Sequence, residues 1–263
     1  GVGTSMAAIA ESRNFFRSFT LADVSLEAAQ RAIEKLADAQ RFTAVQLDAR
    51  SESNIVALIK ECDADFVVNA CDPRLNESIF NACFTAGVHY MDMAMNLSTP
   101  HATDPYNQVG EILGHKQFSA HEAWISKGLL ALVGMGVEPG LSDVFARYAA
   151  DNLFDTIDEI GVRDGANLAI EGYDFAPTFS IWTTIEECLN PPLIWEKGRG
   201  VFTTDCFSES EIFHFPEGIG PIECVNVEHE EVLLIPREIE CNRVTFKYGL
   251  GNELINWLKT FAY

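Results

Sequence analysis

The most restrictive feature of the sequence is the regular alternation of helix-like and strand-like segments over its first half. Helical patterns and short apolar runs follow one another at residues 25–39, 43–47, 51–61, 65–70, 75–86 and 88–93. Residues 65–70 (DFVVNA) are apolar in the middle and polar at both ends, as in a buried parallel strand. Short connections between such segments produce parallel βαβ units. The first half therefore predicts an α/β fold with a doubly wound parallel sheet.

The pattern changes after about residue 155, where strand-like segments come with few helices between them. These segments are residues 159–163, 211–215, 223–227, 231–236 and 243–248. Such a succession predicts an α+β domain with a mainly antiparallel sheet. We therefore expect a cofactor-binding domain over residues 1–138 and a domain for substrate binding and dimerisation over residues 139–263.

Charge and composition exclude several classes of function. The 263 residues include 18 Lys and Arg against 39 Asp and Glu, which gives a net charge of −21. Because contacts to phosphate groups need Lys and Arg, neither nucleic acid nor an anionic membrane is expected as a partner. No apolar run approaches the roughly 18–20 residues that span a bilayer. The seven scattered cysteines contain no CxxC pair, which favours reduced thiols, a cytoplasmic protein and no metal site.

The N-terminus, Gly1-Val2-Gly3 before a helix of small residues, is typical of the end of a phosphate-binding loop. Glycines let the backbone approach a pyrophosphate, and the helix N-terminus supplies N–H groups. Asp23 follows Gly3 by 20 residues, where dinucleotide-binding Rossmann folds place an acidic residue against the adenine ribose. No Arg follows Asp23 to accept a 2′-phosphate, so NAD is favoured over NADP. An ordinary loop and a surface helix cap are the alternatives for these two features.

Three loops that follow predicted parallel strands supply further candidate cofactor-binding residues. They are Asn69, Ala70, Asp92, Gly134, Gly136, Pro139 and Gly140. The carboxyl ends of parallel strands meet at one edge of a sheet, where such folds bind nucleotides. Three such loops in succession favour a nucleotide crevice over simple connections.

An ordered series of sequence blocks resembles the saccharopine dehydrogenase-like family, which includes saccharopine, lysine 6- and carboxynorspermidine dehydrogenases and homospermidine synthase. The blocks are residues 66–70, 82–83, 86–92, 134–142, 175–180, 215–220 and 227–231. The resemblance covers most of the chain and implies a nicotinamide enzyme that oxidises or reduces a C–N bond through an imine. Family members are longer, so we expect a first strand before Gly1 and a further C-terminal portion.

The resemblance directs attention to His229 and Glu231 as catalytic residues, because the family has a similar His-x-Glu pattern in its substrate domain. A histidine titrates near neutral pH and can act as acid or base, while a carboxylate can hold an ammonium group. Along a strand, residues i and i+2 point to the same face, so we expect His229 and Glu231 to reach one pocket. Glu217, in a glycine-flanked turn, is a third candidate. An ordinary solvated acidic stretch and a surface turn are the alternatives.

The function expected from these observations is NAD-dependent oxidation of an amino acid's amine, as in saccharopine or lysine metabolism, by a homodimer. The alternative within the family is reductive joining of an amine to an aldehyde, as in carboxynorspermidine formation. An alternative of another class is an NAD-binding protein without catalysis. The sequence contains no zinc-protease HExxH, no Gly-x-Ser-x-Gly and no Gly-Lys-Ser/Thr motif, so those chemistries are not expected.

Overall fold

The computed structural model describes residues 1–167, 170–172 and 180–261, and the chain divides into two compact units. The first unit comprises Gly1–Met93 and Lys116–Val133, and the second comprises Ala94–His115 and Gly134–Tyr263. The sequence predicted a single boundary between residues 138 and 139, without the insertion at Ala94–His115. Of the sequence block 175–180, only Ser180 lies within the described residues.

The first unit is built from parallel strands joined by helices. Its elements in chain order are α1 (Val2–Glu11), β1 (Phe19–Asp23), α2 (Leu26–Ile33), β2 (Phe42–Gln46), α3 (Glu52–Glu61), β3 (Phe66–Asn69), a 3₁₀ turn (Pro73–Leu75), α4 (Asn76–Ala86), β4 (His89–Asp92), α5 (His115–Ser119), α6 (His121–Ser126) and β5 (Ala131–Leu132). Strand β1 pairs in parallel with β2, and β3, β4 and β5 form a second parallel sheet in that order. The predicted α/β architecture with parallel strands is confirmed.

Local sequence signals explain where several of these helices begin and end. The Ser25 and Ser51 side chains accept backbone N–H groups at the starts of α2 and α3, at 3.2 and 3.4 Å, as N-caps do. Helix α4 ends at Gly87, whose φ of 78° is a left-handed conformation that glycine adopts without a steric penalty. The predicted helix 25–39 is shorter than expected, since α2 ends at Ile33.

Aromatic packing forms the main core of the first unit. The Phe80 ring lies edge-on to Tyr90 at 5.2 Å and packs against Trp124 at 4.7 Å between ring centroids. All three side chains are buried, and they connect α4, β4 and α6. This core fixes the ends of β3 and β4, which carry several of the candidate cofactor residues.

The second unit is built around a mainly antiparallel sheet. Its elements are α7 (Leu141–Asn152), β6 (Glu159–Gly165), α8 (Ile181–Leu189), β7 (Leu193–Glu196), β8 (Gly200–Thr203), β9 (Glu211–Phe215), β10 (Gly220–Asn226), α9 (Glu231–Glu238), β11 (Arg243–Gly249) and α10 (Asn252–Phe261). The strand order is β8-β7-β11-β10-β9, and β6 joins it by pairing in parallel with β11. The predicted α+β fold is confirmed. Within the described residues, no helix combines the length and apolar character that crossing a membrane requires.

The prediction of a strand at residues 231–236 is wrong, because this segment lies in helix α9. Val232 and Ile235 are both buried, and their spacing of three residues places them on the same helix face. Ile235 belongs to a core cluster with Val244 of β11. Contact of this apolar face with the sheet stabilises a helix where the short apolar run alone favoured a strand.

Candidate functional site

The N-terminus of α1 is suited to hold an anionic group. Gly1 is its N-cap, and among the described residues no side chain caps the helix and its first turn contains no acidic residue, so no described side chain competes with an anion there. A Cβ atom on Gly3 would have the Cβ of Ala70 as its nearest neighbour, at 4.0 Å. The fold therefore brings the glycine-containing turn beside the end of β3, and the cofactor role of these residues remains a prediction.

Asp23, the last residue of β1, has an exposed carboxylate. Its Oδ1 accepts the backbone N–H of Ser25 at 2.9 Å. Burial, followed by the charges of Asp23 and Asp72, raises the pKa of the Cys71 thiol, so Asp23 interacts with the segment that follows β3. An exposed carboxylate there, together with the uncapped start of α1, fits a dinucleotide whose ribose and pyrophosphate need these two kinds of group.

Asn69 and Asp92 belong to a buried hydrogen-bond network inside the first unit. The Asn69 amide donates to Asn76 Oδ1 at 2.7 Å and to the Tyr90 hydroxyl at 3.2 Å. Asp92 Oδ2 accepts the Tyr90 hydroxyl at 2.9 Å and the Gln117 amide at 2.6 Å. Both candidate residues are almost fully buried, so this network fixes the strand ends, and cofactor contact by either residue remains a prediction.

The glycine-rich loop, residues 134–140, lies in the second unit. A Cβ atom on Gly140, where φ is 123°, would approach the carbonyl oxygens of Gly136 and Gly134 to 2.5 and 2.8 Å. Pro139 is buried, and the Gly140 N–H is bonded to Asp143 Oδ2 at 2.9 Å. The loop is therefore tightly folded on itself at the start of α7, and the predicted cofactor role of its residues remains a prediction.

His229 and Glu231 are in direct contact in the second unit. His229 Nδ1 forms a short hydrogen bond with Glu231 Oε2 and lies 3.3 Å from Glu230 Oε2. His229 precedes α9 and Glu231 is the first residue of that helix. The two side chains therefore meet at a helix start, rather than on the strand face that the sequence predicted, and their catalytic role remains a prediction.

The other side of the His229 ring is equally engaged. Nε2 lies 3.2 Å from the Tyr248 hydroxyl, which in turn donates to Glu187 Oε2 at 3.1 Å. The imidazole stacks on the Phe246 ring, with 3.6 Å between centroids and 6° between planes. Glu231, His229, Tyr248 and Glu187 thus form one continuous, buried hydrogen-bonded chain.

Electrostatics makes His229 a cation within this chain. Burial alone would lower its pKa, but the carboxylates of Glu231 and Glu230 outweigh burial and raise the pKa to about 10. For Glu231 burial acts in the raising direction, but the His229 charge and hydrogen bond lower its pKa below the ordinary value. Burial raises the pKa of Glu187 to about 8 and that of Glu230 to about 7. At neutral pH the pair is therefore an imidazolium and a carboxylate.

The carboxylates next to His229 are held by donors from other segments. Ser142 Oγ, in the first turn of α7, donates to Glu231 Oε1 at 2.7 Å. Glu230 Oε1 accepts the Met95 N–H at 2.9 Å. Glu228 accepts the Ser98 N–H at 3.0 Å. Residues 228–231 are all at most 3 % exposed, so this stretch is not a solvated acidic face.

The ligand atoms of His229, Glu230 and Glu231 lie within 4.8 Å of one another, a spacing that also suits a metal ion. Nδ1 already contacts both carboxylates, and Glu230 is bonded to backbone. These hydrogen bonds and ion pairs explain why the three side chains lie close together. The absence of a metal site remains a prediction.

Glu217 is not part of this cluster. It lies exposed in the turn between β9 and β10, with a positive φ of 58°. The hairpin turn determines this position, and its side chain is not among the contacts of His229.

Three groups that the sequence analysis did not select belong to the cluster: Glu138, Glu187 and Tyr248. They come from the glycine-rich loop, α8 and β11, which are far apart in sequence. The alternation of Val244, Phe246 and Tyr248 along a predicted strand was the one available signal, because these side chains share a face. Nothing in the sequence connected that face with His229.

Comparison with known proteins assigns the family. Residues 1–132 match the sequence model of the saccharopine dehydrogenase NADP binding domain. Carboxynorspermidine synthase from Vibrio alginolyticus is 29 % identical over 265 residues, which cover 98 % of this chain and 62 % of that protein. Carboxyaminopropylagmatine dehydrogenase from Synechocystis sp. is 30 % identical over 219 residues, or 81 % of this chain and 51 % of that protein. The chain thus spans less than two thirds of these relatives.

The fold comparison agrees with the sequence comparison. Apo saccharopine dehydrogenase (L-Glu forming) from Saccharomyces cerevisiae superposes with a TM-score of 0.68 at 14 % identity, over 99 % of this chain and 56 % of that one. The family match covers half of the chain and most of the first unit, which is accordingly a nicotinamide-dinucleotide-binding domain. The chain belongs to the family defined by the saccharopine dehydrogenase NADP binding domain.

Proposed function

We propose that the whole protein is a nicotinamide-dependent oxidoreductase that acts on a C–N bond of an amine or amino acid. The observation that carries this proposal is the buried cluster around His229, where one imidazolium is surrounded by several carboxyl groups. The carboxyl groups outnumber this cation, and Glu231 stays ionised beside it. Such an arrangement is suited to a substrate that brings a positive charge of its own, as an ammonium group does.

The names of the relatives favour one form of this reaction. A carboxynorspermidine synthase and a carboxyaminopropylagmatine dehydrogenase are 29 % and 30 % identical to the chain. They support reductive joining of an amine to a carbonyl compound as the first candidate. Oxidation of saccharopine or lysine, the direction expected from the sequence, is the second candidate and is supported by the family match.

Each unit has a distinct task in this reaction. The start of α1 and Asp23 would hold the pyrophosphate and ribose of the dinucleotide, which supplies or accepts a hydride when bound. In the second unit, His229 keeps Glu231 ionised, so that a negative charge is maintained beside the amine. We propose the cofactor role for residues 1–138 and the substrate and dimerisation roles for residues 139–263.

We further propose that the enzyme prefers NAD to NADP. The exposed carboxylate of Asp23 can accept hydrogen bonds from ribose hydroxyls and would repel a 2′-phosphate. The family is named for NADP binding, so the dissociation constants of NADH and NADPH, measured by fluorescence, decide this point. Tighter binding of NADPH would contradict the proposed preference.

We also propose a homodimer and a cytoplasmic location, and one observation supports each. Leu141, Val144, Phe145 and Tyr148 form an exposed apolar face on α7, which is suited to a subunit interface. All seven cysteines are free, as in a reducing compartment. Light scattering of the full-length protein would give twice the monomer mass if the homodimer is correct.

The proposed activity is tested with the full-length protein by following nicotinamide absorbance. NADH and NADPH are each supplied with diamines and an aldehyde, and NAD and NADP with saccharopine or lysine. We expect turnover with an amine substrate in at least one direction. Cofactor binding without turnover on any amine would instead support a non-catalytic nucleotide-binding protein.

A further inference from the structure

His229, although central to the cluster, has no ring nitrogen left for a substrate. Nδ1 contacts Glu231 and Glu230, and Nε2 contacts the Tyr248 hydroxyl. Because that hydroxyl donates its own hydrogen to Glu187, Nε2 must carry the hydrogen of the His229–Tyr248 bond. The side chain is only 2 % exposed. His229 is therefore a fixed cation, and the group that exchanges a proton with the amine must be another.

Glu138 is the carboxyl group with the features that such an exchange requires. It lies in the tightly folded loop, residues 134–140, and is half-buried rather than enclosed. Its carboxyl has Asp164, the next-to-last residue of β6, as a hydrogen-bonding neighbour, and strand pairing places Asp164 beside Tyr248, whose hydroxyl bonds to His229. Two carboxyl groups can bond to each other only when one of them carries a proton. A bond between these two groups therefore requires one shared proton.

The charged groups around Glu138 come from several elements. Asp164 faces it from β6, His229 and Glu231 from the start of α9, and Tyr248 from β11. Burial, then Asp164, raises the pKa of Glu138 to about 7, against the lowering effect of His229. A general acid–base works best when its pKa lies near the working pH.

The neighbouring candidate, Asp143, is already engaged. Burial raises its pKa to about 6. However, its Oδ2 accepts the Gly140 N–H at 2.9 Å as the cap of α7. Its Oδ1 is buried without a hydrogen-bond partner, so neither oxygen is open to a substrate, whereas Glu138 is half-buried and has no such structural task among the described contacts.

We propose that Glu138 is the catalytic acid–base of the C–N chemistry, and that Asp164 is a positioning residue that shares its proton. This inference rests on the proposed function. In the oxidative direction, an ammonium substrate R₂CH–NH₂⁺–R′ and the Glu138 carboxylate give R₂CH–NH–R′ and the carboxylic acid. An N–H bond breaks, an O–H bond forms, and the electron pair stays on nitrogen. In the reductive direction the acid returns this proton to the product amine.

The test compares variants of the full-length enzyme by kcat/KM as a function of pH in amine oxidation. Wild type should lose activity below about pH 7, where Glu138 becomes protonated. Glu138→Gln should lower kcat/KM by about 10²–10⁴ and abolish this acidic limb. Asp164→Asn removes a charge that raises the Glu138 pKa, so the acidic limb of this variant's pH profile should move to lower pH. Glu138→Asp should keep the limb at a reduced rate.

The matched control is Glu240→Gln, an equivalent change at an exposed position, which should leave the profile unchanged. Dissociation constants for NADH should be the same in all variants. A Glu138→Gln enzyme with the wild-type rate and acidic limb would overturn the inference. If Glu138→Asp is the only variant that folds, a pH profile without the acidic limb in that variant would also overturn the inference.

A second measurement separates this inference from the proposed function. Infrared titration of wild type and Glu240→Gln should show a protonated-carboxyl component that disappears near pH 7, and in Glu138→Gln this component should be smaller by one carboxyl group, because the contributions of Glu230 and Glu187 remain. An inactive wild type would contradict the proposed function. The infrared spectra need no turnover, so they would still show whether Glu138 loses its proton near pH 7. An unchanged component in Glu138→Gln would overturn the inference.

Discussion

At the scale of single residues, the charge balance of the cluster depends on the buried His229 cation. A neutral histidine among these carboxylates would leave Glu231 without its counter-ion inside the protein, at a large desolvation cost. The imidazolium avoids that cost by bonding to Glu231 on one side and Tyr248 on the other. These contacts favour a role for His229 in maintaining charge over the direct acid–base catalysis that the sequence predicted.

Tyr248→Phe tests this chain of hydrogen bonds. The change removes the hydroxyl that joins His229 and Glu187, and leaves both buried groups without that partner. We expect the free energy of unfolding, measured by urea denaturation, to fall by about 1–3 kcal/mol. Ser18→Ala, which removes an exposed hydroxyl, is the control and should change it by less than about 0.5 kcal/mol. Equal stability of the two variants would contradict the account.

Asp23→Ala tests the cofactor assignment at the same scale. Loss of charge-assisted hydrogen bonds to the ribose should weaken NADH binding by about 1–3 kcal/mol, measured by fluorescence titration. Asp38→Ala is the matched control, because Asp38 is also exposed and also accepts a backbone N–H two residues on. If both variants bind NADH as wild type does, Asp23 is not a ligand of the cofactor.

At the scale of elements, helix starts rather than strands bring the acidic side chains together. Ser142 in the first turn of α7 bonds to Glu231 at the start of α9, so two helix N-termini meet at the cluster. Positive dipole ends favour negative side chains at such places. The glycine-rich loop, residues 134–140, leads directly into α7 and thereby fixes where Glu138 lies.

Gly140→Ala tests the importance of this loop. A Cβ would clash with two carbonyl oxygens, at 2.5 and 2.8 Å, and the φ of 123° is itself unfavourable for alanine. We expect a loss of about 2–4 kcal/mol in the free energy of unfolding. Gly198→Ala separates the two causes, since Gly198 also has a positive φ but no neighbour within 4 Å. Gly198→Ala should lower the free energy of unfolding by about 1–2 kcal/mol. An equal loss in both variants would argue against crowding of the Cβ at position 140.

Elements whose signals are local were predictable, and the contacts between distant elements were not. The caps at Ser25, Ser51 and Gly87 lie next to the helices that they delimit, so their positions follow from short sequence patterns. His229 and Glu231 are neighbours in sequence and could be paired. Tyr248 could not be joined to them, because the pairing of β11 with β6 and β10 decides its position, and no local pattern encodes that pairing.

At the scale of the whole molecule, stability should fall as pH rises from about 5 to 10. His229 has a pKa of about 10 against an ordinary 6.5, so its stabilisation is complete below pH 6.5 and lost as pH rises through about 10. The raised pKa values of Glu187 and Glu230, about 8 and 7, act in the same direction above 4.5. The net charge of −21 adds self-repulsion at high pH.

Urea denaturation at several pH values between about 5 and 10 measures this effect. We expect a steady decrease in the free energy of unfolding as pH rises. Glu187→Gln removes one of the responsible carboxyl groups and should make the decrease shallower, whereas Glu34→Gln, at an exposed position, should not. Stability that increases with pH in wild type would contradict the charge states assigned to the cluster.

The central claim is that a hydride moves between a nicotinamide and the carbon of a C–N bond. The most direct measurement supplies the full-length enzyme with nicotinamide cofactor deuterated at its transferable position, an amine and an aldehyde, and analyses the product by mass spectrometry. The account predicts a coupled amine with one deuterium on the carbon bonded to nitrogen. An unlabelled product, or deuterium found only on an alcohol carbon, would contradict it.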